Sequence, residues 1–115
     1  MHLQPFISYS DFEKVDMRVG QIVQVEPFIN ARKPAYKLWI DFGETLGVKQ
    51  SSAQITDFYQ PEDMLNRRII GVVNFPPKQI ADFMSEVLVL GVDVAGKGVV
   101  LLQVADDAVV GSRVF

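Results

Sequence analysis

The chain has 115 residues, 49% of them hydrophobic, no cysteine and a net charge of −3, which fits one packed globular domain long enough to bury roughly two-thirds of its unfolded surface. The missing cysteine excludes disulfides, zinc–thiolate sites and thiol nucleophiles. The acidic balance argues against a protein that lives mainly on phosphate contacts. No apolar run approaches the roughly 20 residues that cross a bilayer, and the first ten residues lack a signal-peptide core. The expectation is a cytoplasmic protein without membrane insertion.

Ser10-Asp11-Phe12-Glu13 has capping-box spacing and predicts one short helical turn. Phe6, Ile7, Tyr9 and Phe12 crowd this leader, residues 1–14, with apolar surface. Val15 to Glu26 alternates, with Val15, Met17, Val19, Val23 and Val25 on one face if the pattern survives Gly20. A bend or bulge is expected at that glycine. Pro27 to Ala35 reads as a loop. Tyr36 to Phe42 is a second strand, with Lys37, Trp39 and Asp41 opposite Tyr36, Leu38, Ile40 and Phe42. After the turn Gly43-Glu44-Thr45, Leu46 to Ser51 is a third strand.

Gln54 to Asn66 is a short helical insertion that Pro61 interrupts. Ile69 to Phe75 and Val87 to Leu90 are β-branched runs too short for ordinary helices, so both read as strands. Pro76-Pro77 ends the first of them, leaving Pro77 to Phe83 as a loop. Val99 to Val104 is a last strand, within an extension over residues 92–115. No helix is long enough for a parallel crossover. The chain is therefore expected to be all-β. Three strands, a helical insertion and two strands is the layout of a five-stranded OB-fold Greek-key barrel with β-rich terminal extensions. A sandwich is the alternative.

Gly91-Val-Asp-Val-Ala-Gly96-Lys97-Gly98 nearly spells a phosphate-binding loop. It lacks the Ser or Thr that would hold magnesium at position 98, and a strand-like run follows it. His2 is the sole histidine and sits at the terminus. No nucleophile elbow surrounds Ser51 or Ser52, and the carboxylates lack calcium-loop spacing. The expectation is no enzyme, no cofactor and no metal.

The positive signal is a surface. Arg32, Lys33, Lys37 and Lys49 face Asp41 and Glu44 alone over residues 32–49, so one region is locally basic. An OB-fold binds across strands two and three and between its first and fourth loops. That face is expected to carry Lys37 and Trp39, Lys49 and Ser51, then Asn30, Arg32 and Lys33 from the first loop. Lys78 and Phe83 come from the later loop, with Asn74 and Phe75 at its base. Such a groove suits a nucleic acid through phosphates and stacking, or an extended peptide. A packed Trp39 and ordinary solvated Arg32 and Lys33 are the plainer alternatives. Phe6, Ile7, Phe12, Val114 and Phe115 fit a two-fold subunit interface.

Four stretches carry a family resemblance over about residues 10–115. They are Asp11-Phe-Glu-Lys-Val-Asp-Met-Arg-Val-Gly, Ala31-Arg-Lys-Pro-Ala-Tyr-Lys-Leu, Gly47-Val-Lys-Gln-Ser-Ser-Ala-Gln-Ile-Thr and Val73-Asn-Phe-Pro-Pro-Lys-Gln-Ile. They resemble the CsaA family, export-related chaperones similar to the tRNA-binding domain of several aminoacyl-tRNA synthetases. The resemblance implies an OB-fold homodimer that binds unfolded or presecretory polypeptides and works with SecA. The wider family implies tRNA binding on the barrel face. The tRNA-binding relatives tend to have Ser-Glu-Gly-Met where this chain has Ser85-Glu86-Val87-Leu88.

Overall fold

Strand β2, Tyr36–Asp41, sets the frame in the computed structural model, which describes residues 2–115. Tyr36, Leu38 and Ile40 are buried, and Lys37, Trp39 and Asp41 lie on the outer face, as the period of two predicts. Before it run α1 (Tyr9–Glu13) and β1 (Met17–Pro27). After it come β3 (Val48–Ala53), α2 (Pro61–Met64), β4 (Arg68–Val72), β5 (Lys78–Ile80), β6 (Phe83–Ser85), β7 (Leu88–Val89), β8 (Gly91–Asp93) and β9 (Val99–Leu101). The main sheet is antiparallel in the order β3-β2-β1-β4-β7. β5–β6 and β8–β9 are separate hairpins.

The two edges of that sheet meet, but not through a regular ladder. The Glu86 amide donates to the Gln50 carbonyl at 2.8 Å. The Gln50 amide donates to the Glu86 carboxylate at 3.1 Å and the Ser52 amide to Ser85 Oγ at 3.0 Å. Ser51 Oγ donates to the Val87 carbonyl at 2.9 Å. Backbone and side-chain hydrogen bonds together thus close the all-β, OB-like barrel. Its core is built on Ile22, Leu38, Ile40, Phe42, Met64 and Ile69.

Several boundaries differ from the sequence reading. The cap of α1 is Ser8, not Ser10: Asp11 N donates to Ser8 Oγ and Ser8 N to the Asp11 carboxylate. An aspartate at the third position closes the box as well as a glutamate does. Pro61 opens α2 instead of interrupting a helix, since the first helical position needs no amide donor. Pro77 to Phe83 is not a plain loop; most of it is the β5–β6 hairpin. Its turn holds Ala81 at φ +52°, a left-handed conformation costly for a residue with a Cβ.

β1 changes partners at Gln21, one residue after Gly20. Met17–Gln21 pair with β4 and Gln21–Pro27 pair with β2. The register shift itself falls later, between Ile22 and Gln24. It puts Ile22 inside and Val23 outside, reversing the expected face for Val23. What Gly20 supplies is space: a Cβ there would lie 2.5 Å from Ile40 Cγ2 and 2.7 Å from Phe42 Cε1.

The insertion and the C-terminal extension are tied by one side chain. Tyr36 Oη donates to the Tyr59 carbonyl at 2.8 Å, and the Leu101 amide donates to Tyr59 Oη at 3.0 Å. The last residues run along the first half of β1. Gly111 N donates to Val19 O, Val19 N to Ser112 O and Val114 N to Met17 O, all within 2.8–2.9 Å. Among the described residues no helix is long and apolar enough to cross a membrane.

Two stability outcomes follow from this packing. Gly20→Ala forces Ile40 and Phe42 apart and is expected to lower unfolding free energy by about 1–3 kcal/mol in urea titrations. Tyr59→Phe strands the buried Leu101 amide and is expected to lower it by a similar ~1–3 kcal/mol.

Candidate binding cleft

Strand pairing fixes which side chains share the outer face. Glu26 and Ser52 lie opposite Lys37, and Gln24 and Gln50 lie opposite Trp39. Directly opposed residues point to the same side of a sheet. Lys49 and Ser51 instead lie opposite Ile40 and Leu38, on the inner side. This corrects the expected groove: Gln50 and Ser52 take the places assigned to Lys49 and Ser51. Ser51 is 1% exposed, with its hydroxyl committed to the barrel closure.

A second, smaller cluster sits on that outer face. Phe28, Ala35 and Phe83 are buried in it, with Ala31, Trp39 and Ile80 packed around them. The rings of Phe28 and Phe83 meet edge-on at 5.5 Å, and those of Trp39 and Phe83 at 5.9 Å. Lys37 Nζ stands 4.9 Å from the Phe28 ring centre and 5.2 Å from that of Phe83. Asn30 Nδ2 donates to the Asp82 carboxylate at 3.0 Å. The 28–35 loop and the β5–β6 hairpin are therefore fastened together. Phe83 is a staple and not an open stacking platform. Trp39 is half-buried, nearer the packed reading than the platform reading.

The fastening shapes two clefts. The larger, about 830 Å³, has Arg32 and Lys33 on one wall, Lys78 and Ile80 on the other, and Ser52 and Gln54 from the end of β3. The second, about 520 Å³, is walled by Phe75, Pro76, Val87 and Leu88 and shares Ser52, Lys78 and Ile80 with the first. Phe75 and Leu88 are 52% and 50% exposed. The result is one groove that passes from a basic end to an apolar end.

Asn74 is not free to recognise a ligand by both ends of its amide. Its Oδ1 accepts from Asp16 N at 3.0 Å, and its Nδ2 donates to Lys14 O at 2.7 Å. The sequence does not assign Phe28, Gln50, Ser52 or Leu88 to the groove. Phe28 lies beyond a proline with no periodicity to mark it, and the β3 residues require the strand register. Of the segments expected at a subunit contact, the leader and the C-terminal segment touch each other. Arg113 Nη2 donates to Glu13 O at 2.7 Å, joining the leader to the C-terminal segment. Phe6, Ile7 and Phe115 are exposed, and Phe12 and Val114 are half-buried.

A family model for a putative tRNA binding domain matches residues 17–113. Among solved structures, the CsaA chaperone protein from Picrophilus torridus is 54% identical with a TM-score of 0.89, covering 96% of this chain and 100% of that one. Chaperone CsaA from Bacillus anthracis str. Ames is 49% identical with a TM-score of 0.90 and the same coverage. The methionine–tRNA ligase of Bdellovibrio bacteriovorus is 36% identical over 108 residues, 94% of this chain but 15% of that enzyme. With its barrel, its cleft and these matches set side by side, the chain belongs to the tRNA-binding-domain family, in its CsaA group.

Proposed function

We propose that this chain is a CsaA-like chaperone that binds extended, partly apolar segments of unfolded or presecretory polypeptides. It does so in the cytoplasm, without catalysis and as a homodimer, and passes clients to SecA. The observation that carries the reading is the apolar end of the groove, where Phe75 and Leu88 stand half-exposed beside Ile80 and Val87. The neighbouring β5 pairs with β6 on one side. A client backbone would pair with its other edge while client side chains fill the apolar end. The CsaA chaperones at 49% and 54% identity support the same reading.

Apolar burial is not screened by salt, so binding of a labelled unfolded polypeptide is expected to survive moderate salt. Phe75→Ser with Leu88→Ser should weaken it on the order of tenfold, the loss of two half-buried side chains. Glu44→Gln, exposed in the turn after β2 and lining neither cleft of the groove, should leave affinity unchanged. A fluorescence titration in which the unfolded polypeptide binds no better than its folded form would sink the reading.

The second reading is tRNA binding, which the family match and the basic end favour. Arg32, Lys33 and Lys78 are the cations lining the larger cleft. At about 0.7–0.9 per phosphate contact, three such contacts give a slope of log K on log salt of about −2 to −3. Arg32→Glu with Lys78→Glu is expected to abolish retention of total tRNA in filter binding and to spare the unfolded polypeptide.

The dimer is proposed from the exposed Phe6, Ile7 and Phe115 and from the Arg113–Glu13 contact that joins the two terminal segments. Sedimentation is expected to give a dimer at micromolar concentration. Phe6→Asp with Phe115→Asp should give a monomer, because charges in a two-fold apolar contact face their own copies.

A further inference from the structure

We infer that Lys37 is a positioning residue that holds the groove's two walls in register, and that it does not contact the ligand's phosphates. The inference rests on the reading of the groove as the binding site. Four observations carry it.

First, the Lys37 ammonium lies within 4.9 and 5.2 Å of two ring centres, Phe28 and Phe83. Both distances fall inside the range in which a cation is drawn to an aromatic face. Second, the two rings belong to different walls: Phe28 opens the first loop and Phe83 closes the hairpin. Third, Glu26 stands directly across the sheet from Lys37, yet the ion pairs found among the described residues are Lys14–Asp11 and Arg18–Asp16. The carboxylate of Glu26 instead accepts from Gln24 Nε2 at 2.7 Å. Fourth, Lys37 lines neither cleft, whereas Arg32, Lys33 and Lys78 line the larger one.

A cation shared by two rings on two segments acts as a bolt. Removing the charge while keeping the aliphatic stem leaves the packing and deletes the attraction. The hairpin then seats less firmly on the outer face, and the groove loses the fixed spacing between Arg32 and Lys78. Arginine keeps the charge and stacks well on aromatic faces, so it should restore the bolt.

Trp39 reports on this directly. It is the sole tryptophan and touches Phe83 edge-on, so its accessibility measures the seating of the hairpin with no ligand present. The experiment compares wild type, Lys37→Met and Lys37→Arg by acrylamide quenching of Trp39, by affinity for a labelled unfolded polypeptide, and by the salt dependence of total tRNA binding. Circular dichroism confirms that each variant is folded. In Lys37→Met the quenching constant should rise about twofold and both affinities should fall roughly fivefold. The slope of log K on log salt should stay as in wild type, and Lys37→Arg should recover all of this. Unchanged quenching in Lys37→Met would overturn the inference, whether or not either ligand binds. So would a salt slope shallower by about 0.7–0.9, the signature of one lost phosphate contact. If quenching rises while wild type binds neither ligand, the bolt stands and the proposed function falls.

Discussion

The barrel depends on a closure that backbone pairing alone does not make. β7 has two residues, too few for a full ladder with β3. The gap is bridged by Ser51, Ser52, Gln50, Ser85 and Glu86, through hydrogen bonds that mix backbone and side chain. Each leaves one fewer buried polar group without a partner, and a buried polar group without one is costly. The closure also decides the function-bearing geometry. It brings residues 84–88 beside the end of β3, and the hairpin just before them over the outer face. Without it Ser52 and Lys78 would not share a groove.

Some of this was legible in the residues and some was not. β2 declared itself because its alternation is complete and one face is wholly apolar. The barrel class followed from short strands around a short insertion. β3 was harder. Val48 to Ala53 is polar on both faces, so its pattern does not say which side is inside. The sequence pattern alone suggests Lys49 and Ser51 outward, and the pairing with Ile40 and Leu38 turns them inward. The hairpin at Lys78–Ser85 was missed for a related reason. Its turn uses Ala81 and Asp82 where a glycine or asparagine would have been the signal. The burial of Phe83 is not legible in the residues, since it depends on Phe28 and Trp39, distant in sequence.

The cations divide into two kinds that composition cannot separate. Arg32, Lys33 and Lys78 face the groove. Arg18, Arg67 and Arg113 are committed to internal partners at Asp16, Gln103 and Glu13. A count of basic residues over the whole chain therefore overstates the charge that a ligand in the groove meets. The two proposed ligands would use different ends of the groove: the apolar end suits side chains, and the basic end suits anions.

The strip of chain from Gly111 to Val114 occupies the flank of β1 at Met17 and Val19. An uncovered flank would offer bare amides and carbonyls to any extended chain that came near. A protein whose proposed clients are extended chains has particular need to hide such a flank. The C-terminal segment thus acts as a guard. With that flank covered, the proposed strand addition is left to the open edge of β5.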